Sequence, residues 1–352
     1  SPMKIVIDRA IPFLEGVLEP WAETVYCAGS AIGPDTVRDA DALIVRTRTR
    51  CNEQLLSGSR VRFIATATIG FDHIDTAWCA AHGIEVSTAA GCNARGVLQW
   101  VAAALVWLSR RQGWRSADRT LGVIGVGHVG SLVAEYAAAW GFRVLCCDPP
   151  REACDRFFEL SGQAALSHER TSRKRLDFFP LEQVAREADL LTFHTPLDAS
   201  TRHMVDERLL RSMRPEAVVL NTSRGEVADT AALLASGHPC LLDVWEHEPQ
   251  IDRALLDRAL LATPHIAGYS EQGKANATAL SVRALACRFG LPLMEWYPPQ
   301  VRPSEPRPIA WQELCGTIDD RFDIEAQSRA LKIRPEAFET MRDNYVYRRE
   351  YF

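Results

Sequence analysis

Short apolar runs alternate with amphipathic stretches along most of this chain, and the alternation is the first guide to its fold. Lys4–Asp8 (KIVID), Val25–Cys27, Ala42–Val45 and Arg62–Thr66 are predicted strands, parted by turn-forming Gly, Pro and Asp. A short helix over Thr76–Ala81 and a strand over Ile84–Ser87 complete a first α/β unit. Asn93–Arg110 then sets Val97, Val101, Ala104, Leu105 and Leu108 at helical spacing, which predicts a long helix leading into a second unit. From there strands are expected at Leu121–Ile124, Phe142–Cys147, Leu190–Phe193, Ala217–Leu220, Cys240–Leu242 and Leu260–Ala262. Helices are expected between them at Leu181–Ala188, Asp206–Ser212 and Thr230–Ala235. Such alternation implies a parallel, doubly wound sheet, whose ligands bind beyond the carboxyl ends of its strands.

The remaining stretches break this rhythm. After Pro149-Pro150 a polar segment runs to residue 177, and its Arg173-Lys174-Arg175 reads as a solvated loop. Glu271–Phe289 is a second long helix that returns the chain toward the first unit. Residues 290–310 carry Pro292, Pro298, Pro299, Pro303, Pro306 and Pro308 and read as an extended linker. Pro335–Phe352 is expected to be a charged helix rich in Tyr, Phe and Arg. This last unit is too small to bury a core alone, so a second copy of the chain is its natural packing surface.

Leu121–Asp148 is where the pattern acquires chemistry. The strand runs into Gly125-Val126-Gly127-His128-Val129-Gly130, and Val129, Val133, Tyr136, Ala137 and Trp140 continue at helical spacing. In a G-x-G-x-x-G between strand and helix, one glycine makes the tight turn, one admits a pyrophosphate, and one lets helix and sheet sit close. Asp148 ends the next strand, roughly 20 residues on, where a carboxylate reads a ribose 2′-OH. A carboxylate there repels a 2′-phosphate, so the cofactor expected is NAD rather than NADP, although Arg151 stands close by.

Composition narrows the classes. The 352 residues are 47% hydrophobic, enough for sizeable cores, and a net charge of -5 gives no general attraction to nucleic acid or an acidic membrane. No apolar run approaches the roughly 20 residues of a membrane span. There is no basic-then-apolar leader, and Ser1-Pro2 before Met3 reads as a cloning remnant. The 10 cysteines are scattered without a C-x-x-C, as expected of small buried hydrophobes in a reducing cytoplasm. No metal site is expected.

The later strands end in polar clusters. Hydride transfer from a 2-hydroxy acid needs a cation for the carboxylate, a base for the hydroxyl proton and a partner to orient that base. Arg224, His265 and Glu248 fit these roles, with Glu246 and His247 as near competitors. In the first unit, Arg46, Arg48 and Arg50 alternate after a strand and would share one side if that segment stays extended, a candidate anion pocket. The loop Ala67-Thr68-Ile69-Gly70-Phe71-Asp72-His73 suits main-chain N–H groups turned toward an anion.

Phe193-His194-Thr195-Pro196-Leu197, Asn221-Thr222-Ser223-Arg224-Gly225, Asp243-Val244-Trp245-Glu246-His247-Glu248-Pro249 and Thr263-Pro264-His265-Ile266-Ala267-Gly268 join the glycine run in order and spacing. Together they resemble the D-isomer-specific 2-hydroxyacid dehydrogenase family across residues 3–289. The resemblance implies Arg224, Glu248 and His265 as the catalytic residues. It also implies NAD contacts from Gly125, Gly127, His128, Val129, Gly130, Asp148, Thr195, Asp243 and Gly268. The implied fold is α/β with two doubly wound Rossmann-like domains. Residues 3–95 and 267–289 form a split substrate-binding domain around an NAD-binding domain at 96–266, and 290–352 form a small C-terminal α+β dimerisation unit.

Val45-Arg46-Thr47, Ala65–His73, Gly91-Cys92-Asn93-Ala94 and the tail Phe338–Tyr345 are similar to one branch of the family, which oxidises a phosphorylated 2-hydroxy acid in pyridoxal phosphate synthesis. That similarity implies Thr47, Thr68 and Tyr269 as substrate contacts and a homodimer as the assembly. Arg46, Arg48 or Arg50 is then the expected cation for the phosphate. Another dehydrogenase or reductase of the family, or an NAD-sensing corepressor on the same fold, are the competing expectations.

Overall fold

The near-continuous apolar runs of the first residues pair as expected. In a computed structural model, which describes residues 2–161 and 176–352, β1 (Lys4–Asp8), β2 (Glu23–Cys27), β3 (Ala42–Val45), β4 (Phe63–Thr66) and β5 (Glu85–Ser87) form a parallel sheet. Its order is β2-β1-β3-β4-β5. Side chains alternate between faces. Ile5, Ile7, Ala42, Ile44 and Phe63 pack on Val282, Leu285 and Ala286 of the helix Glu271–Phe289. Val6, Leu43, Val45 and Ile64 face Leu55, Leu56, Cys79 and Ile84 on the other side. Burial on both faces is why these strands are apolar throughout. The long helix is capped by Ser270, whose Oγ accepts from Gly273 N at 2.9 Å, and ends at Gly290 in the left-handed region (φ 70°).

The second sheet contains β6 (Thr120–Ile124), β7 (Arg143–Cys147), β8 (Leu190–Phe193), β9 (Val218–Asn221), β10 (Cys240–Leu242) and β11 (Leu261–Ala262). All are parallel, in the order β11-β10-β9-β8-β6-β7. Strand order reverses between β6 and β8, and that switch point opens a crevice at their carboxyl ends. Outside β7 a single parallel bridge joins Cys146 to Phe178. The predicted long helix spans Ala94–Gln112 and is buried along most of its length, with Trp100 0% exposed.

The chain divides into two compact units, Ser1–Asn93 with Ser270–Ser304 and Ala94–Tyr269 with Glu305–Phe352. Three expectations change here. The expected third unit over 290–352 is shared between these two. Residues 305–352 are also helical rather than α+β, with helices at Trp311–Arg321, Ile324–Ile333 and Phe338–Asp343 and no named strand among the described residues. The charged helix expected over Pro335–Phe352 therefore stops at Asp343. Within the polar segment, Pro149–Ser161 is helical, and Arg173-Lys174-Arg175, expected as a solvated loop, lie outside the described residues.

The tail helices are too short to bury their own apolar faces, so they borrow a core. Leu314, Ile318, Phe322, Ile324 and Phe352 join the cluster around Trp140 and Phe142. Trp140 Nε1 donates to Ile309 O at 2.9 Å, and Tyr136 Oη donates to Arg307 O at 2.8 Å. Ser328 Oγ accepts from Ala262 N at 2.9 Å, covering the edge of β11 that an open sheet leaves unpaired. Among the described residues, no helix is long and apolar enough to cross a membrane and no cluster of metal-ligating side chains occurs.

If the tail is part of the second unit's core, Phe352→Ala, at a side chain 1% exposed, costs about 3–5 kcal/mol in urea unfolding. Ile333→Ala, on the same tail but 74% exposed, costs about 0.5 kcal/mol or less. Equal, small losses for both would mean that the tail is not docked.

Candidate active site

The glycine loop follows β6, and its three glycines are needed for different reasons. Gly125 has φ +85°, and a Cβ there would lie 2.6 Å from His194 O on the neighbouring strand end. Gly130 lies in the first turn of the helix His128–Ala139, where a Cβ would fall 1.8 Å from Gly125 O. Gly127 is exposed, with nothing within 4 Å of where a Cβ would stand. The loop is thus shut toward the protein and open toward solvent at the helix N-terminus, where unpaired N–H groups favour an anion. His128 is exposed there, whereas Val129 packs into the core and has only its main chain to offer.

Two further groups fit a dinucleotide at this crevice. Thr195, at the end of β8, has a buried Oγ1 without a hydrogen-bond partner, and its Cγ2 is 2.9 Å from a Cβ placed on Gly125. Asp148 ends β7 and ties it to the loop, accepting from Val126 N at 2.8 Å and from Arg151 N at 3.1 Å. The Arg151 guanidinium donates to Val126 O at 2.7 Å, so it is already engaged by the loop.

The Glu248–His265 pair lies at the carboxyl ends of β10 and β11. Glu248 Oε2 accepts from His265 Nδ1 at 2.8 Å, and Glu248 Oε1 accepts from Trp245 N at 3.0 Å. A carboxylate on Nδ1 fixes the neutral ring in the tautomer whose Nε2 is the basic atom. The His265 side chain is 27% exposed and its backbone is left-handed, with φ 57°. A histidine rarely adopts that conformation unless its surroundings impose it. Here they do. His265 N donates to Asp243 O at 2.8 Å, and the fully buried Asp243 carboxylate accepts from Ile266 N at 2.8 Å and Ala267 N at 3.0 Å. It also accepts from Thr263 Oγ1 at 2.7 Å, a hydroxyl that itself accepts from Trp100 Nε1 at 2.9 Å. Burial raises the Asp243 pKa, while His265 and these three donors oppose the rise. Gly268 continues the loop held in this way.

Arg224 follows β9 and is exposed, its Nη1 donating to Ser223 O at 2.7 Å. Asn221 shapes the turn: its Oδ1 accepts from Ser223 N at 3.1 Å and its Nδ2 donates to Arg224 O at 3.0 Å. A Cβ on Gly225 would come within 2.0 Å of Trp245 C, so the Arg224 turn presses directly on the loop that carries Glu248.

The competitors of the pair have other work. Glu246 accepts from His203 Nε2 at 2.9 Å and from Thr230 N and Oγ1, both at 2.9 Å. Burial pushes its pKa up, but these bonds outweigh burial and leave it below the ordinary carboxylate value. His247 is exposed, with φ 62°.

In the first unit, Arg46, Thr47, Arg48 and Arg50 are all exposed after β3. They do not lie on one extended side. The segment turns, with Thr49 N donating to Arg46 O at 3.4 Å and the buried Thr49 Oγ1 donating to Gly29 O at 2.9 Å. Thr68, after β4, lies in a hydroxyl cluster: its Oγ1 is 2.6 Å from Thr66 Oγ1 and donates to Gly70 O at 2.8 Å. His73 Nε2 is 2.9 Å from Thr66 Oγ1, and burial lowers its pKa.

Tyr269 stacks on Tyr347 with ring centroids 5.0 Å apart, and the Arg342 guanidinium lies 5.8 Å from the centre of the Tyr269 ring. Burial opposes the charge of Arg342, but Tyr269 and Glu248 outweigh it and hold its pKa above the ordinary value. The tail residues Arg342 and Arg348 and the Trp100–Thr263 pair were not foreseen as site residues. Asn221 carried a local signal, a side chain suited to turning its own backbone directly before Arg224.

A family model described as "D-isomer specific 2-hydroxyacid dehydrogenase, NAD binding domain" matches residues 93–267. The chain is 44% identical to an erythronate-4-phosphate dehydrogenase of Bacteroides thetaiotaomicron, over 99% of this chain and 97% of that protein. It is 39% identical to one from Salmonella arizonae, over 99% of this chain and 92% of that protein. A D-lactate dehydrogenase from Aquifex aeolicus, solved with NAD and lactic acid, shares the fold with a TM-score of 0.59 and 24% identity, covering 82% of this chain and 96% of that one.

One titration follows from the β8 strand end. His194 Nε2 lies 2.8 Å from Thr192 Oγ1 and its Nδ1 3.2 Å from Thr222 Oγ1, and desolvation pushes its pKa down to about 3. Below the unfolded value of about 6.5 the unfolded chain takes a proton that the folded chain refuses, so stability drains away as pH falls toward the folded value. In thermal melts, the Tm advantage of the wild type over His194→Gln therefore shrinks from neutral to acid pH. A gap that stays constant would show that His194 titrates normally.

Proposed function

The chain belongs to the erythronate-4-phosphate dehydrogenases within the D-isomer-specific 2-hydroxyacid dehydrogenase family, and from that premise we propose the substrate and the roles of its residues. The reaction is NAD-dependent oxidation of 4-phospho-D-erythronate to (R)-3-hydroxy-2-oxo-4-phosphooxybutanoate, a step toward pyridoxal phosphate. The substrate rests on the near-full-length similarity to relatives of that name. The base rests on one observation, the 2.8 Å bond between Glu248 and His265 Nδ1.

NAD, when bound, supplies the hydride acceptor. Gly127 and the N-terminus of the helix His128–Ala139 would hold its pyrophosphate, with Asp148 at a ribose and Thr195, Asp243 and Gly268 at the crevice. Arg224 grips the C1 carboxylate through its fork of N–H groups and polarises the C2 oxygen. His265 Nε2 takes the C2 hydroxyl proton as the hydride leaves C2, a contribution of about 10²–10⁴ in rate. Glu248 receives the Nδ1 proton's hydrogen bond throughout and stabilises the imidazolium that results. Arg46 or Arg48 meets the phosphate, with Thr47, Thr68 and Tyr269 as further contacts. The assembly is a homodimer, supported by Ile333 at 74% and Val346 at 88% exposure on the tail. A reducing cytoplasm is supported by the scatter of the 10 cysteines along the chain, without a C-x-x-C spacing.

Turnover of 4-phospho-D-erythronate is measured against erythronate and 3-phosphoglycerate, with a 2-oxo acid present to recycle NADH. The first is strongly preferred. Preference for 3-phosphoglycerate would keep the base and overturn the substrate, and NAD binding without any turnover would favour a cofactor sensor. Arg46→Ala raises KM for the phosphorylated acid far more than for erythronate, and equal losses would remove Arg46 from the phosphate. His265→Ala and Glu248→Gln lower kcat by about 10²–10⁴ with NAD affinity nearly unchanged. Wild-type kcat in either would mean that another group is the base.

A further inference from the structure

Arg348, near the end of the tail, is only 7% exposed, a burial for which an arginine ordinarily has a carboxylate partner. Its guanidinium instead gathers main-chain carbonyls. Nη1 donates to Ile266 O at 3.0 Å and to Tyr345 Oη at 2.9 Å, while Nη2 donates to Gly96 O at 3.2 Å and to Ala267 O. The guanidinium carbon lies 4.3 Å from the centre of the Phe322 ring. The carbonyls of Ile266 and Ala267 belong to the loop that carries His265, and the N–H groups of the same two residues donate to the buried Asp243 carboxylate at 2.8 and 3.0 Å.

The peptide group joining Ile266 to Ala267 therefore has a buried cation on its oxygen and a buried anion on its N–H. A peptide dipole has its negative end at oxygen and its positive end at hydrogen, so both charges bind it in the favourable sense. Asp243 and Arg348 neutralise each other across this one peptide rather than by direct contact. Held from both sides, the peptide cannot flip, and the residue before it is His265, with φ 57°. Asp243 alone would hold this planar peptide by its N–H only and leave its oxygen, and that of Ala267, without a buried cation.

We propose that Arg348 is a positioning residue for the proton-transfer step: by bridging to Asp243 through the Ile266–Ala267 peptide, it locks the loop that aims His265. This rests on the reading of His265 as the base. It gives the tail a role within its own chain's chemistry, apart from any role in assembly. Arg348 touches neither reacting atoms nor cofactor in this account.

The test uses full-length protein and two readouts. Hydrogen exchange at the amides of Ile266 and Ala267, followed by mass spectrometry of the peptide that contains them, needs no substrate. In Arg348→Ala it accelerates by about tenfold or more while exchange in β6 and β8 is unchanged. With 2-hydroxy acid and NAD, kcat falls by about 10²-fold, the scale of a misplaced catalytic group, and added guanidinium chloride at millimolar strength recovers part of it where sodium chloride does not. Arg348→Lys keeps the buried charge but not the fork. It covers the case in which the alanine variant fails to fold, and it shows the same two changes at smaller amplitude. Unchanged exchange at the two amides, or kcat within about threefold of the wild type in a folded variant, would overturn the proposal. Should the wild type not oxidise 4-phospho-D-erythronate, the function reading fails while the exchange measurement still decides whether Arg348 holds the loop.

Discussion

The buried carboxylate of Asp243 is the constraint on which the second unit's chemistry depends. Its two oxygens accept from Thr263 Oγ1, Ile266 N and Ala267 N, and its own carbonyl accepts from His265 N. An N–H left unpaired inside a protein costs about 1–3 kcal/mol, so the alternatives to this loop conformation are all expensive. That penalty is what sustains a left-handed backbone at a residue that is not glycine. Three of the roughly four acceptor positions on the carboxylate are filled, so at most one is left for a cofactor.

The same logic extends outward from Asp243. Thr263 is oriented by Trp100 from the long helix, and Trp245 Nε1 donates to Thr263 O at 3.0 Å. Glu248 is fixed by the main chain of Trp245, and Gly225 presses the Arg224 turn against that same main chain. Arg224, Glu248 and His265 sit on three different strand ends, yet their loops are in mutual register because each is packed or bonded to the Trp245 segment or to Asp243. Precision here comes from buried main-chain contacts, while the side chains of Arg224, Glu248 and His265 keep some exposure.

The tail changes what the second unit is. Its helices supply core residues around Trp140, cover the β11 edge through Ser328 and deliver Arg348 beneath the His265 loop. Residues 305–352, which read by composition as the end of a linker and a small appendage, are thus built into the nucleotide-binding half, while 290–304 belong to the first unit.

Much of this was legible in the sequence because it is local. The strands of both sheets, the long helices and the glycine loop follow from apolar period, β-branched content and turn residues, each a property of a few neighbouring positions. The residues fit to carry the reaction could be nominated because parallel sheets place chemistry at strand ends, and family likeness chose Glu248 and His265 over Glu246 and His247. The rest was decided by tertiary structure. Arg46, Arg48 and Arg50 alternate in sequence, but Thr49 is buried against Gly29 and the segment turns. The tail's apolar positions announce a buried face without naming the surface that buries it. Arg348 bonds Ile266, Ala267 and Gly96 across 82, 81 and 252 positions, and no spacing rule connects them. Sequence determined which elements form and which chemical groups are present. Only the folded chain decided which groups meet, because burial leaves each buried donor and acceptor a single set of partners, most of them remote along the chain.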